Sequence, residues 1–193
     1  MKRLLNVGGG SKAIPLPPEY LGFAHVLLDI DPAGAPDLVL DGRRLDELDP
    51  GQFDAVYCSH NLEHYFRHDV PKVLAGFFHV LKPGGFAQIR VPDLVGLMTR
   101  VVQGQIDLEQ PIYVSPAGPI APLDVIYGLG RQIEASGVDF FAHKTGFSDQ
   151  SLSRAVEQAG FSPKFARVAD LEINLLAFKG PADPDHLRLF GLA

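Results

Sequence analysis

Short unbroken apolar runs, each closed by turn residues, dominate the first half of the chain: Leu4–Val7, His25–Ile30, Asp37–Leu40, Phe53–Ser59 and Phe86–Val91. Runs of this length, rich in Val, Leu and Ile, predict strands of a parallel sheet covered on both faces. Between them the period changes. Val73, Leu74, Phe77, Phe78 and Leu81 fall on one side of a helix. Asp69 stands where a cap belongs, Pro71 suits the first turn, and Pro83-Gly84-Gly85 is expected to stop the helix and turn the chain into the next strand. Further on, Ser148 reads as an N-cap, with Phe147 placed to staple onto Leu152. Leu152, Ala155, Val156 and Ala159 give that helix its buried face, and Gly160 ends it. Two strands follow, near Lys164–Val168 and Glu172–Phe178, and a last turn at His186–Phe190.

From Leu97 to Lys144 the pattern breaks up. Pro111, Pro116, Pro119 and Pro122 punctuate it, with Gly104, Gly118, Gly128, Gly130 and Gly137. We read one domain over residues 1–193 with an insert or lid of short helical pieces at about 97–145. Strand–helix alternation elsewhere predicts an open α/β sheet. In such sheets ligands sit outside the carboxyl ends of the strands, here after Val7, Ile30, Leu40 and Ser59.

Composition narrows the class. Hydrophobic residues are 46% and charged residues 21%, which excludes global disorder. The net charge, 17 − 23 = −6, makes nucleic acid a poor partner. A single cysteine, Cys58, excludes an intrachain disulfide and a cysteine-based zinc site, and it fits a reducing cytoplasm. The apolar run at the start breaks at Asn6, so no signal-peptide core is expected there, nor a membrane span elsewhere.

Asn6-Val7-Gly8-Gly9-Gly10-Ser11 closes the first strand with glycines, which let the backbone turn sharply and a ligand approach closely. Gly8 to Ala13 fits the G-x-G-x-x-G/A dinucleotide pattern, and Asp29 lies where that pattern wants its ribose acid. Spacing therefore leaves a nicotinamide cofactor and another adenosine-type cofactor both open. Pro15, Pro17 and Pro18 oppose the long helix whose N-terminus a pyrophosphate wants, so a cofactor without a pyrophosphate fits better.

LLNVGGGS, HVLLDIDP, DLVLDGRRL, FDAVYCSHNLEHY and VLKPGGFAQIRVPDL, in that order, resemble the motifs of class I S-adenosylmethionine-dependent methyltransferases, most of all the small type-11 group. The resemblance runs from about Leu4 to Leu94 and resumes over Phe147–Lys179. It implies a Rossmann-like, doubly wound, mostly parallel seven-stranded sheet whose last strand is antiparallel. It implies further that Gly8 and Gly10 pass the methionine end of S-adenosylmethionine and that Asp29 takes both ribose hydroxyls. Ile30 would pack on the adenine face, and Asp41-Gly42 would meet the adenine edge. Ser59 and His60 would stand near the sulfonium. Asn6 occupies a position where many members carry an acid.

His60-Asn61-Leu62-Glu63-His64 is also H-x-x-E-H, an inverted zinc-protease signature, and on a helix His68 would extend the His60–His64 face. The stretch follows a predicted strand, and the methyltransferase motifs account for it position by position, so no metal is expected. Glu63 and His64 either orient a loop or cap a helix, or His64 faces a methyl acceptor and removes its proton. His143, beside Phe140 and Phe141, is a second candidate base or a packing residue. Tyr113, Tyr127, Phe140 and Phe141 line an acceptor pocket or form the insert's own core. The reading is methyl transfer to a small or medium acceptor. An NAD(P)-dependent reductase on a similar sheet, and a non-catalytic cofactor-binding protein, are the alternatives. Oligomeric state is not legible.

Overall fold

The computed structural model describes residues 1–192. Its main sheet contains β1 (Arg3–Val7), β2 (Ala24–Asp29), β3 (Leu38–Val39), β4 (Phe53–Ser59), β5 (Leu81–Pro92), β8 (Lys164–Ala169) and β9 (Glu172–Phe178) in the order β3-β2-β1-β4-β5-β9-β8. The first five strands pair in parallel, and β9 runs antiparallel to both of its neighbours. This is the doubly wound, mostly parallel sheet the sequence predicts, with the last strand reversed. The chain moves outward from β1 to β3 and returns to pair β4 on the other side of β1. That reversal opens a crevice at the carboxyl ends of the central strands.

Alternate side chains of each strand enter different cores. Leu5, Val7, Cys58, Ile89 and Val91 face α1 (Val70–Val80) and α5 (Asp149–Gln158), with Leu74, Phe77, Leu152 and Val156 buried against them. Leu4, Ala55, Tyr57 and Phe86 face the other way, onto Tyr20 and onto Leu187 and Phe190 at α6 (Pro184–Leu189). Tyr20 stands on a short 3-10 turn, Pro18–Tyr20, and its hydroxyl donates to Gln88 at 2.7 Å. The prolines that precede it leave no α-helix between β1 and β2.

Two local expectations are corrected. Pro83-Gly84-Gly85 does not separate helix from strand: the backbone is already extended at Leu81, which pairs with Phe53. Residues 82–85 bulge out before Phe86 pairs with Ala55, because the buried Leu81 side chain draws the chain into the sheet first. Asp69 sits at the cap position of α1 without capping it; its carboxylate accepts from Arg43 at 3.2 Å instead. Ser148 does cap α5, accepting from Ser151 N at 3.1 Å.

After β5 come α2 (Leu94–Val102), a hairpin of β6 (Tyr113–Ser115) and β7 (Gly118–Ile120), α3 (Pro122–Tyr127) and α4 (Gly130–Ser136). Leu97, Ile120 and Val125, with Leu94, Ile112 and Leu129, make a separate aliphatic core there. The four aromatic residues are not part of it. Among the described residues no helix is long and apolar enough to cross a membrane.

Candidate functional site

Three strand ends and one strapped loop build the site. Gly8 follows β1 with φ +71°, a left-handed conformation that a side chain resists, and its N–H donates to the Leu28 carbonyl at 2.8 Å. The Asn61 side chain lies directly over it, where a Cβ would come within 2.1 Å. A second glycine supports the loop from outside. A Cβ on Gly34 would lie 1.7 Å from the Gly10 carbonyl oxygen, so the turn after β2 and the glycine loop touch backbone to backbone. Asn6 is 5% exposed and packs beneath Gly9, with its amide 3.3 Å from His25 Nε2. It supports the loop and does not line the cleft.

Asp29 ends β2 and is 8% exposed. Its Oδ2 accepts from Gly10 N at 2.9 Å and its Oδ1 from Asp31 N at 2.9 Å. Each oxygen keeps a second lone pair. The carboxylate thus fixes the glycine loop and still offers two acceptor sites to a cavity of about 270 Å³, lined among others by Gly8, Asp29, Ile30, Asp41, Asn61 and His64.

Asp41 is less free. It caps the turn at 42–47, and its oxygens accept from Arg43 N at 2.8 Å, from Arg43 Nε at 3.2 and 3.0 Å, and from Arg43 Nη2 at 2.6 Å. Three donors, with Nε shared between the two oxygens, make four contacts that fill the carboxylate. Burial pushes Asp41 up, but the Arg43 hydrogen bonds and charge outweigh it and hold the group below its usual range. Gly42 is buried under the Tyr65 hydroxyl and does not reach the cavity wall.

The end of β4 carries the histidines. Ser59 closes the strand, half-buried, and lines none of the cavities described here. His60 has φ +49° and turns away from the 270 Å³ cavity toward β9. Its Nε2 lies 2.9 Å from Glu172 and its Nδ1 3.5 Å from Glu63. Desolvation pulls the His60 pKa down, yet the two carboxylates outweigh it and raise it to about 9. Residues Leu62–His64 form a 3-10 turn, and the end of the insert is strapped across it. Lys144 N and Thr145 N both donate to the Glu63 carbonyl, at 2.8 and 3.1 Å, and His64 Nδ1 donates to the Ala142 carbonyl at 3.1 Å. The strap brings the His143 ring to 4.8 Å from the His64 ring, nearly perpendicular to it.

His64 consequently lines two spaces. One is the cavity beside Asp29. The other, about 390 Å³, is bounded by His60, Glu63, Tyr113, Val125, Phe141 and His143 among others. Phe140 lines the first cavity and Phe141 the second, while Tyr127 is 64% exposed. Burial is the largest influence on His64 and lowers its pKa, so the ring is neutral at pH 7.

Residues that fit an adenosine-bearing cofactor are therefore together: an acid with two spare acceptor sites, a half-exposed Ile30, and glycines at the turn. Asn61 adds a feature the motifs did not single out. Its Oδ1 is buried without a hydrogen-bond partner at the wall of the same cavity, an acceptor that suits the ammonium of an amino-acid end.

Residues 5–89 match a family described as a methyltransferase domain. Over those residues the chain is similar to that methyltransferase-domain family. Solved structures agree on the fold. An S-adenosylmethionine-dependent methyltransferase from Archaeoglobus fulgidus is 15% identical, with TM-score 0.60, covering 92% of this chain and 86% of its own. The 1,6-didemethyltoxoflavin-N1-methyltransferase of Burkholderia thailandensis, solved with its acceptor and S-adenosylhomocysteine, is 14% identical with TM-score 0.54 over 93% of this chain and 72% of its own. A possible histamine N-methyltransferase from Thermotoga maritima is 16% identical with TM-score 0.56, covering 93% and 82%. No curated protein matches the chain in sequence. S-adenosylmethionine or its demethylated product is named for these solved proteins, and the acceptors named for two of them differ from one another.

Proposed function

We propose that the chain is an S-adenosylmethionine-dependent methyltransferase that places its cofactor in the cavity beside Asp29 and a small-molecule acceptor in the neighbouring cavity beneath residues 97–145, which act as an insert over a single domain. The observation that carries this reading is His64, which lines both cavities. Asp29 holds the ribose diol, Ile30 packs on the adenine, and Asn61 with Gly8 and Gly10 receives the amino-acid end. His60, at the end of β4, borders the acceptor cavity, and Ser59 stands behind it in the strand. Tyr113, Val125 and Phe141 give the acceptor an apolar wall. The single, buried Cys58 suits a reducing, cytoplasmic setting.

When bound, S-adenosylmethionine supplies a methyl group on a sulfonium, already activated for departure. The chain has to align the acceptor and exclude water, and alignment of this kind supplies about 7–11 kcal/mol. His64 donates its Nδ1 proton to the Ala142 carbonyl, which leaves Nε2 basic in the neutral ring. An acceptor with a proton to lose gives it to His64, or to His143, whose Nδ1 likewise donates to Val125 O at 2.8 Å. A base in that role is worth about 10²–10⁴-fold.

Thermal unfolding tests the cofactor class. At 100 times its dissociation constant S-adenosylhomocysteine stabilises the protein by about 2.7 kcal/mol, and NADH leaves the midpoint unmoved. A shift with NADH and none with S-adenosylhomocysteine favours the reductase. The adenine edge is tested separately. Asp41 meets the adenine amine only when Arg43 swings to Asp69, so Arg43→Ala should leave S-adenosylhomocysteine affinity unchanged or improved in calorimetry. A tenfold loss would mean that Arg43 itself holds the ligand.

A further inference from the structure

Glu63 poses a problem the methyltransferase reading does not solve. Its side chain is 1% exposed, and neither carboxylate oxygen has a hydrogen-bond partner. A buried carboxylate without donors is strongly disfavoured unless a cation stands beside it. The cation already beside it is the His60 imidazolium, whose Nδ1 stands 3.5 Å from one oxygen, Oε1, longer than a good hydrogen bond. His60 is shared with Glu172 and leaves the other oxygen unattended.

Two imidazoles complete the surroundings. Glu63, His64 and His143 each offer one donor atom to a set lying within 4.8 Å of one another. A carbonyl oxygen can only accept, so His64 Nδ1 beside Ala142 O and His143 Nδ1 beside Val125 O both carry hydrogen. In the neutral rings both Nε2 atoms then hold free lone pairs. An imidazole that donates one ring N–H to a backbone carbonyl while its other nitrogen stays open is the support found behind metal-ligating histidines. The three residues also line the 390 Å³ cavity, so a cation among them would be open to a ligand on one side.

We propose that Glu63, His64 and His143 form a binding site for a divalent cation of the zinc type. Two imidazole nitrogens and one carboxylate oxygen are the donor set that zinc takes in sites with an open position, whereas calcium and magnesium prefer oxygen throughout. The set differs from the one the H-x-x-E-H pattern suggests. His60 turns to Glu172 and His68 is exposed, and the third donor comes from the far end of the insert. The site itself stands apart from the methyl-transfer reading; its use rests on that reading. A cation here would lower the pKa of an acceptor hydroxyl or thiol, and the proton would leave to solvent. This replaces proton removal by His64, whose lone pair the cation takes.

The test is equilibrium dialysis of the chelator-stripped full chain against Zn²⁺, with metal analysis, beside Glu63→Gln, His143→Ala and His68→Ala. The site predicts close to one tightly held zinc per chain, an affinity loss on the order of 100-fold or more for the first two variants, and none for His68→Ala. Wild-type protein that takes up no saturable zinc overturns the proposal, as does uptake unchanged in Glu63→Gln and His143→Ala. Far-UV circular dichroism and a cooperative thermal melt without ligand, run on each protein, show that the variants are folded. Zinc uptake lost in Glu63→Gln supports the site even where S-adenosylhomocysteine fails to bind any of the proteins, a result that would contradict the methyl-transfer reading alone.

Discussion

Asp29→Ala should lower the affinity for S-adenosylhomocysteine by about 10²–10⁴-fold. Two hydroxyl hydrogen bonds to a charged oxygen are worth about 1.5–3 kcal/mol each, and each 1.4 kcal/mol is a factor of ten. The substitution also releases Gly10 N and Asp31 N, which now donate to the carboxylate. Some of the loss therefore reaches the ligand through a loosened glycine loop. Asp29→Asn separates the two. It keeps one acceptor oxygen and sets an NH₂ against a backbone N–H, so it should fall between wild type and alanine in calorimetry. Affinity within threefold of wild type for Asp29→Ala would remove the ribose assignment.

Phe77→Ala should destabilise the domain by about 3–5 kcal/mol. Phe77 is fully buried on α1, in the core that α1 and α5 form on the sheet. Truncation removes the transfer free energy of the ring and leaves a cavity that the fixed strands cannot close. For a domain of this size each kcal/mol moves the midpoint by roughly 2–4 °C, so the drop should be on the order of 10 °C. Denaturant unfolding with an unchanged slope and a lowered midpoint is the expected signature. A loss under 1 kcal/mol would mean that the helix is not seated as described.

The strands were legible because a strand buried on both faces leaves an unmistakable run of apolar residues, whichever way it runs. Phe53–Ser59 and Glu172–Phe178 match residue for residue. Asp37–Leu40 shrinks to Leu38–Val39 because the Asp37 carboxylate turns back to accept from Leu27 N at 2.8 Å. Composition carries no trace of that contact. The cleft was legible where the backbone dictates it, at Gly8 and Asp29. It was not legible where long-range contacts dictate it. Asn61 lies between two named motif residues, and only the fold shows that its oxygen is buried and unpaired over Gly8. Arg43 saturates Asp41 through a side-chain rotamer, which spacing does not encode. His143 reaches His64 because Lys144 and Thr145 bond the Glu63 carbonyl across a large gap in sequence. Periodicity within one element cannot foresee such a strap. The aromatic residues of the insert posed a choice between pocket and core, and aliphatic residues form that core.

A crystal structure of the full chain with S-adenosylhomocysteine is the most direct check. The account predicts the ribose diol on Asp29, the amino-acid end against Gly8 and Asn61, and the sulfur directed toward the side of His64 that opens on the second cavity. Electron density for the adenosine anywhere other than the cavity lined by Gly8 and Asp29, or a ribose out of reach of Asp29, would contradict it.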